Sequence, residues 1–238
     1  SDAESKGVKR GMIFSDINGI RLTRDNYRDL LYNQTSSSYT IKFSEISYDQ
    51  NNQCANIIPG QEDLTLIKSR IVKNPIHISK IIEVEGQKVG YLMYNQFVGV
   101  VESEGKDYNS ELNNVFSNFL SNGISDLVVD LRYNPGGRIS TSINLASMIT
   151  GQFNNQVFAK ERWNSKLMNY WDENNPESLL NRFTNKLSNN QSIFSLNLDR
   201  VYILTSARTA SASELLINGL DPYINVIHIG DFTVGKNQ

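Results

Sequence analysis

The chain has 238 residues, 39% hydrophobic and 20% charged, which is enough apolar material for a core and too little charge for a disordered polyelectrolyte. Its 23 Lys and Arg against 25 Asp and Glu leave a net charge of −2, which argues against a nucleic-acid binder. A single Cys, Cys54, excludes an internal disulfide framework and a Cys-based zinc site, and only two His, His77 and His228, argue against a His-rich metal centre. No apolar run approaches the roughly 18–20 residues that span a bilayer, and no secretory leader is visible.

In chain order, residues 1–48 predict a small α+β unit. Ile13 to Ile17 reads as a strand closed by Asn18-Gly19, a strong two-residue hairpin signal. Thr23 is placed to cap a helix carrying Tyr27, Leu30 and Leu31 on one face. Tyr39, Ile41 and Phe43 alternate as a strand does. Residues 49–60 are polar and turn-rich and read as a linker. The second domain runs over 61–238. Strands are expected at Leu64–Val72, Ile76–Val84 and Val89–Phe97, then a helix marked by Leu112, Phe116 and Phe119 and ended by Gly123. Leu127 to Leu131 reads as a buried parallel strand, 139–150 as a helix, Val201–Leu204 as a strand, Ser211–Leu220 as a helix and Ile224–Ile229 as a strand. Such alternation implies an α/β domain with a mostly parallel sheet. Residues 164–198, rich in Asn and Ser, read as a surface excursion.

Three loops follow those strands, where ligands gather in open α/β sheets. The first, Asp130 to Gly137 (DLRYNPGG), exposes the backbone N–H groups of Gly136 and Gly137, which can hold an anion or a developing oxyanion. It reads equally as a tight turn with Arg132 in a salt bridge. The second, Thr209 to Glu214 (TASASE), puts Ser211 at a helix N-terminus. Ser211 with Glu214 three residues later is also a capping box. The third, Gly230 to Lys236 (GDFTVGK), has phosphate-loop spacing, but Asn237 stands where Ser or Thr is needed and no helix follows. A serine nucleophile needs a base. Neither His forms an obvious Ser-His-Asp pattern, whereas a desolvated lysine can accept a proton.

Asp130-Leu-Arg-x-Asn-Pro-Gly-Gly137, Ala210-Ser-Ala-Ser-Glu214 and Gly235-Lys236, in that order, resemble the C-terminal processing peptidases, the tail-specific serine proteases. The resemblance covers residues 80–238. It implies Ser211 as nucleophile, Lys236 as base, and an oxyanion hole from Gly136, Gly137 and Ala212. It implies a crotonase/ClpP-like α/β spiral core, cleavage of protein or peptide substrates near their C-termini, no cofactor or metal, and a periplasmic, envelope or secreted location in a bacterium. Residues 3–11 (AESKGVKRG) and Ile13 to Gly19 are similar to the later part of a PDZ domain, a module that binds peptide C-termini by strand addition. Both ends read as cut mid-domain, so a longer natural chain is expected. The rival readings are a non-catalytic peptide-binding relative and a Ser-His hydrolase acting on small esters.

Overall fold

A computed structural model describes residues 2–33, 35–49, 54–69 and 73–236. The chain divides into two compact units, Ser1–Lys73 and Asn74–Gln238.

In the first unit, a short helix α1 (Asp2–Ser5) precedes β1 (Ile13–Ile17) and β2 (Ile20–Arg21), then α2 (Tyr27–Leu31), β3 (Ser38–Asp49) and β4 (Cys54–Ile67). The Asn18-Gly19 turn has φ of 50° and 74°, the left-handed pair that matches strand twist in a two-residue hairpin. The strands form an antiparallel sheet in the order β2-β1-β3-β4 around Ile17, Ile41 and Leu66. Asn26, not Thr23, stands at the N-cap position of α2, without a side-chain capping bond, and the two exchange hydrogen bonds: Thr23 N–H donates to Asn26 Oδ1 at 2.7 Å and Asn26 N–H to Thr23 Oγ1 at 3.2 Å.

The expected linker at 49–60 is strand instead. Ser47 pairs Asn56, Tyr48 pairs Ala55 and Asp49 pairs Cys54, so the described part of this segment belongs to the long antiparallel pair of β3 with β4, and residues 50–53 lie outside the described residues. Residues 55–60 are exposed, so no apolar alternation marks the strand in the sequence. The division between units falls at Lys73, beyond β4, and not at residue 60.

The second unit opens with β5 (Ile76–Val84) and β6 (Gln87–Tyr94), then the short pair β7 (Val100–Val101) and β8 (Lys106–Asp107). Next come α3 (Tyr108–Asn122), β9 (Asp126–Asp130), α4 (Ile139–Thr150), β10 (Val157–Lys160), α5 (Ser165–Asn174), β11 (Leu180–Arg182), β12 (Arg200–Thr205), α6 (Ala212–Leu220) and β13 (Asn225–Gly230). The main sheet has the order β13-β12-β9-β6-β5, with four parallel strands and β5 antiparallel at one edge. Asp107 starts α3 by accepting from the N–H groups of Asn109 and Ser110, and Gly123 ends it in the left-handed conformation. Alternate strand residues Leu92, Leu127, Val129, Val201 and Ile203 are buried together with Phe116 and Phe119 of α3, Leu145 and Met148 of α4, and Leu216 and Leu220 of α6. This one-sided burial seats the helices on the sheet and fixes the ends of β9, β12 and β13, where the loops of interest begin.

Residues 164–198 are more than a surface excursion. β11 pairs β10, and Leu179, Phe183 and Leu187 are buried. Phe183 makes ring contacts with Phe153, Phe158 and Tyr223. The sequence signal is weak because these anchors stand singly among polar residues.

Candidate active site

β9, β12 and β13 are neighbours and parallel, so their three following loops emerge side by side at one sheet edge. The loop after β9 is held from within. The fully buried Asp130 carboxylate accepts from Arg132 Nη2 at 2.7 Å, from Arg132 N–H at 3.1 Å and from Tyr91 Oη at 2.7 Å. Burial pushes this carboxyl up, but the Arg132 guanidinium and the Tyr91 hydroxyl outweigh it and hold Asp130 below the ordinary carboxylate range. The salt-bridged turn expected for Arg132 is therefore present, and it supports the glycine pair.

The loop after β12 is bonded to the first one. Leu131 N–H donates to Leu204 O at 2.9 Å, and Ala210 N–H donates to Asn134 O at 3.2 Å. Thr209 Oγ1 donates to Leu131 O at 2.8 Å, and Ser206 Oγ to Arg132 O at 2.5 Å. Ser211 then turns the chain into α6 at φ 57° and ψ −117°, a conformation that costs an L-residue about 1–3 kcal/mol. A strained strand-to-helix turn of this kind is the backbone geometry on which other folds carry a nucleophile at a sheet end. The neighbours are small because space is short. A Cβ on Gly136 would come within 2.7 Å of both Ala210 O and Ser211 Cβ.

The two glycines differ. Gly136 is buried and its N–H donates to Asn134 Oδ1 at 2.8 Å. Gly137 is exposed, and a Cβ there would collide with Phe97 O. Among the described residues, the N–H groups of Gly137 and Ala212 donate to no protein acceptor. Of the three expected oxyanion donors, Gly136 is thus already committed, and Gly137 and Ala212 are free.

Glu214 joins the second loop to the third. Its buried carboxylate accepts from Ser211 N–H at 2.7 Å, Gly235 N–H at 2.5 Å and Lys236 N–H at 3.0 Å. Burial pushes its pKa up, but these bonds and one from the Thr233 side chain outweigh it and leave Glu214 below the ordinary glutamate range. Val234 N–H also donates to Thr209 O at 3.0 Å. Residues 211 and 236, far apart in sequence, are held by one side chain. The Lys236 side chain itself is exposed, with no protein partner among the described residues. The sequence offered Glu214 only as a local cap, and its reach to Gly235 and Lys236 carries no local signature.

The N–H groups that a phosphate loop would turn to an anion are here bonded to a carboxylate, which opposes the nucleotide reading. His228 bonds Thr205 Oγ1 and is thereby tied to β12. His77 lies exposed on β5. Among the described residues no three His, Cys, Asp or Glu side chains converge as metal ligands.

With the three loops in place, the comparison with known proteins is decisive: residues 88–238 match peptidase family S41. The chain belongs to that family. Peptidase family S41 is a family of serine-type peptidases. A solved S41 protease from Bacteroides fragilis is 32% identical over 99% of this chain, with a TM-score of 0.67. The chain spans 57% of that protein's length. The photosystem II D1 C-terminal processing protease is 17% identical over 99% of this chain and 55% of its own, with a TM-score of 0.49. No curated protein matches the sequence.

The Glu214 clamp has a measurable consequence. Glu214→Gln replaces one accepting oxygen with an NH2 that faces a backbone N–H. Turnover is expected to fall by about 10²-fold, the cost of a displacement near 1 Å at a reacting centre. The sign with pH follows from the depressed pKa. The stabilising contribution is fully present above the ordinary glutamate value and is lost as pH falls through the lower folded value. The difference in Tm between parent and variant should therefore shrink on acidification. A difference independent of pH would remove the charge from the explanation.

Proposed function

We propose that this S41 chain is the catalytic part of a serine endopeptidase that uses a Ser211–Lys236 dyad and cuts protein substrates near their C-termini. The observation that carries this reading is the shared Glu214 carboxylate, which bonds the backbone N–H of Ser211 and that of Lys236. In the proposed reaction Ser211 Oγ attacks the scissile carbonyl carbon while its proton passes to Lys236 Nζ. The oxyanion accepts from the N–H groups of Gly137 and Ala212. Collapse breaks the C–N bond, Lys236 returns the proton to the leaving amine, and water then releases the acyl group by the same steps.

The parallel sheet with its helices is read as the crotonase/ClpP-like core, and β1, β2, α2 and β3 as the later elements of a PDZ-like module that receives peptide ends. A bacterial envelope or secreted setting goes with the same resemblance. The Ser-His alternative loses support from the Thr205 bond of His228. Peptide binding without cleavage draws on the exposed Lys236 side chain. An alkyl fluorophosphonate separates these readings. It should modify Ser211, as mapped by mass spectrometry of the tryptic peptide, in the parent, His77→Ala and His228→Ala proteins, and fail with Lys236→Ala. Undiminished labelling after loss of Lys236 would discard the dyad.

A further inference from the structure

Asn134 is fully buried, and five hydrogen bonds tie it to three separate segments, one of them from its own N–H to Leu131 O at 3.0 Å. Its side-chain Nδ2 donates to Tyr94 O, at the end of β6, at 2.9 Å. Its side-chain Oδ1 accepts from Gly136 N–H at 2.8 Å. Its main-chain oxygen accepts from Ala210 N–H at 3.2 Å and from Ser213 Oγ at 3.1 Å, on either side of Ser211. Asn is suited to the position: one amide supplies both a donor and an acceptor, and every polar group it buries is satisfied.

We propose that Asn134 is the positioning residue that sets the spacing between the oxyanion donor Gly137 and the nucleophile Ser211. The argument is geometric. Gly136 N–H points to Asn134, and Gly136 O accepts from Phe97 N–H at 2.9 Å. Gly136 O and Gly137 N–H belong to one trans peptide unit, so with Gly136 O turned to Phe97 the Gly137 N–H points the opposite way. Through its own carbonyl the same residue holds Ala210 and Ser213, and so the turn that contains Ser211 and Ala212. A strand end, an oxyanion donor and a nucleophile are therefore referenced to one buried side chain. Ser213, two residues after Ser211 in the same motif, belongs to this set through its bond to Asn134 O. Asn134 touches no reacting atom and acts through Gly136, Ala210 and Ser213.

The proposal rests on the peptidase reading, and its test is built to fail separately from it. In the ¹⁵N-labelled parent, the Gly136 amide should exchange with solvent much more slowly than the Gly137 amide. Equal exchange rates overturn the proposal without any variant. In Asn134→Ala, Gly136 should lose that protection, and the amide resonances of Ser211 and Ala212 should shift. Asn134→Asp, which keeps an acceptor for Gly136, should retain the protection. With a peptide substrate, kcat per fluorophosphonate-titratable Ser211 should fall by about 10²-fold in Asn134→Ala while KM is little changed. A purely structural role would lower the number of titratable sites and leave kcat per site alone, and that result overturns the proposal. If the parent cleaves no peptide, the peptidase reading fails and the amide data decide alone. Shifts that reach Ser211 and Ala212 uphold Asn134, and shifts confined to residues 134–137 overturn it.

Discussion

Ser211→Ala is expected to abolish peptide-bond cleavage, with kcat down on the order of 10⁶-fold, as removal of a serine nucleophile costs where it has been measured. The fold should survive. The bond from residue 211 to Glu214 uses the backbone N–H, which alanine keeps, and loss of a capping hydroxyl costs about 1 kcal/mol. The backbone strain makes the experiment more discriminating. At φ 57° and ψ −117°, glycine suffers no steric penalty that alanine or serine would suffer. Ser211→Gly should thus be as inactive as Ser211→Ala and yet melt at a higher temperature. A gain in stability with total loss of turnover is the mark of strain kept for placing a hydroxyl. Substantial activity in either variant removes Ser211 from the mechanism, and equal melting temperatures remove the strain argument.

What was legible in the sequence was local. The Asn18-Gly19 hairpin, the Gly123 helix end and β9 of the main sheet are each set by residues within a few positions of one another, and all stand as read. The three loops could be placed because each follows a strand and carries a compact motif. The pairing of β3 with β4 beyond Ser44 could not be read, since a ribbon exposed to solvent has no apolar alternation to betray it. Within the site, the types of residue were readable and their bonds were not. Asn134 stood in the quoted motif without a role, because its partners Tyr94, Ala210 and Ser213 lie far off in sequence. Gly136 and Gly137 are identical in sequence and divide only in three dimensions, one N–H held by Asn134 and the other exposed. Glu214 satisfied a capping pattern, so the local explanation was sufficient and hid the bridge to Gly235 and Lys236.

Lys236→Arg should be nearly as damaging as Lys236→Ala, each lowering kcat by about 10²–10⁴-fold, the range that a general base contributes. Arginine keeps the positive charge but does not give up its proton, so it cannot relieve Ser211 Oγ of one. The protein should remain folded in both variants, because Glu214 grips the main-chain N–H of residue 236 and not its side chain. The same fact gives the side chain its task. Clamping Gly235 and Lys236 by their N–H groups fixes where the chain passes Ser211 and leaves the lysine stem to swing. In the proposed reaction the stem brings its amine to Ser211 Oγ, whose proton it accepts. Two measurements follow. Small primary amines added to Lys236→Ala should restore part of the lost turnover in proportion to their concentration, while having no such effect on Lys236→Arg, where the guanidinium fills the space. His228→Ala should turn over as the parent does, since His228 serves Thr205. An active Lys236→Arg protein, or a His228→Ala protein without activity, would transfer the role of base from the lysine to the histidine.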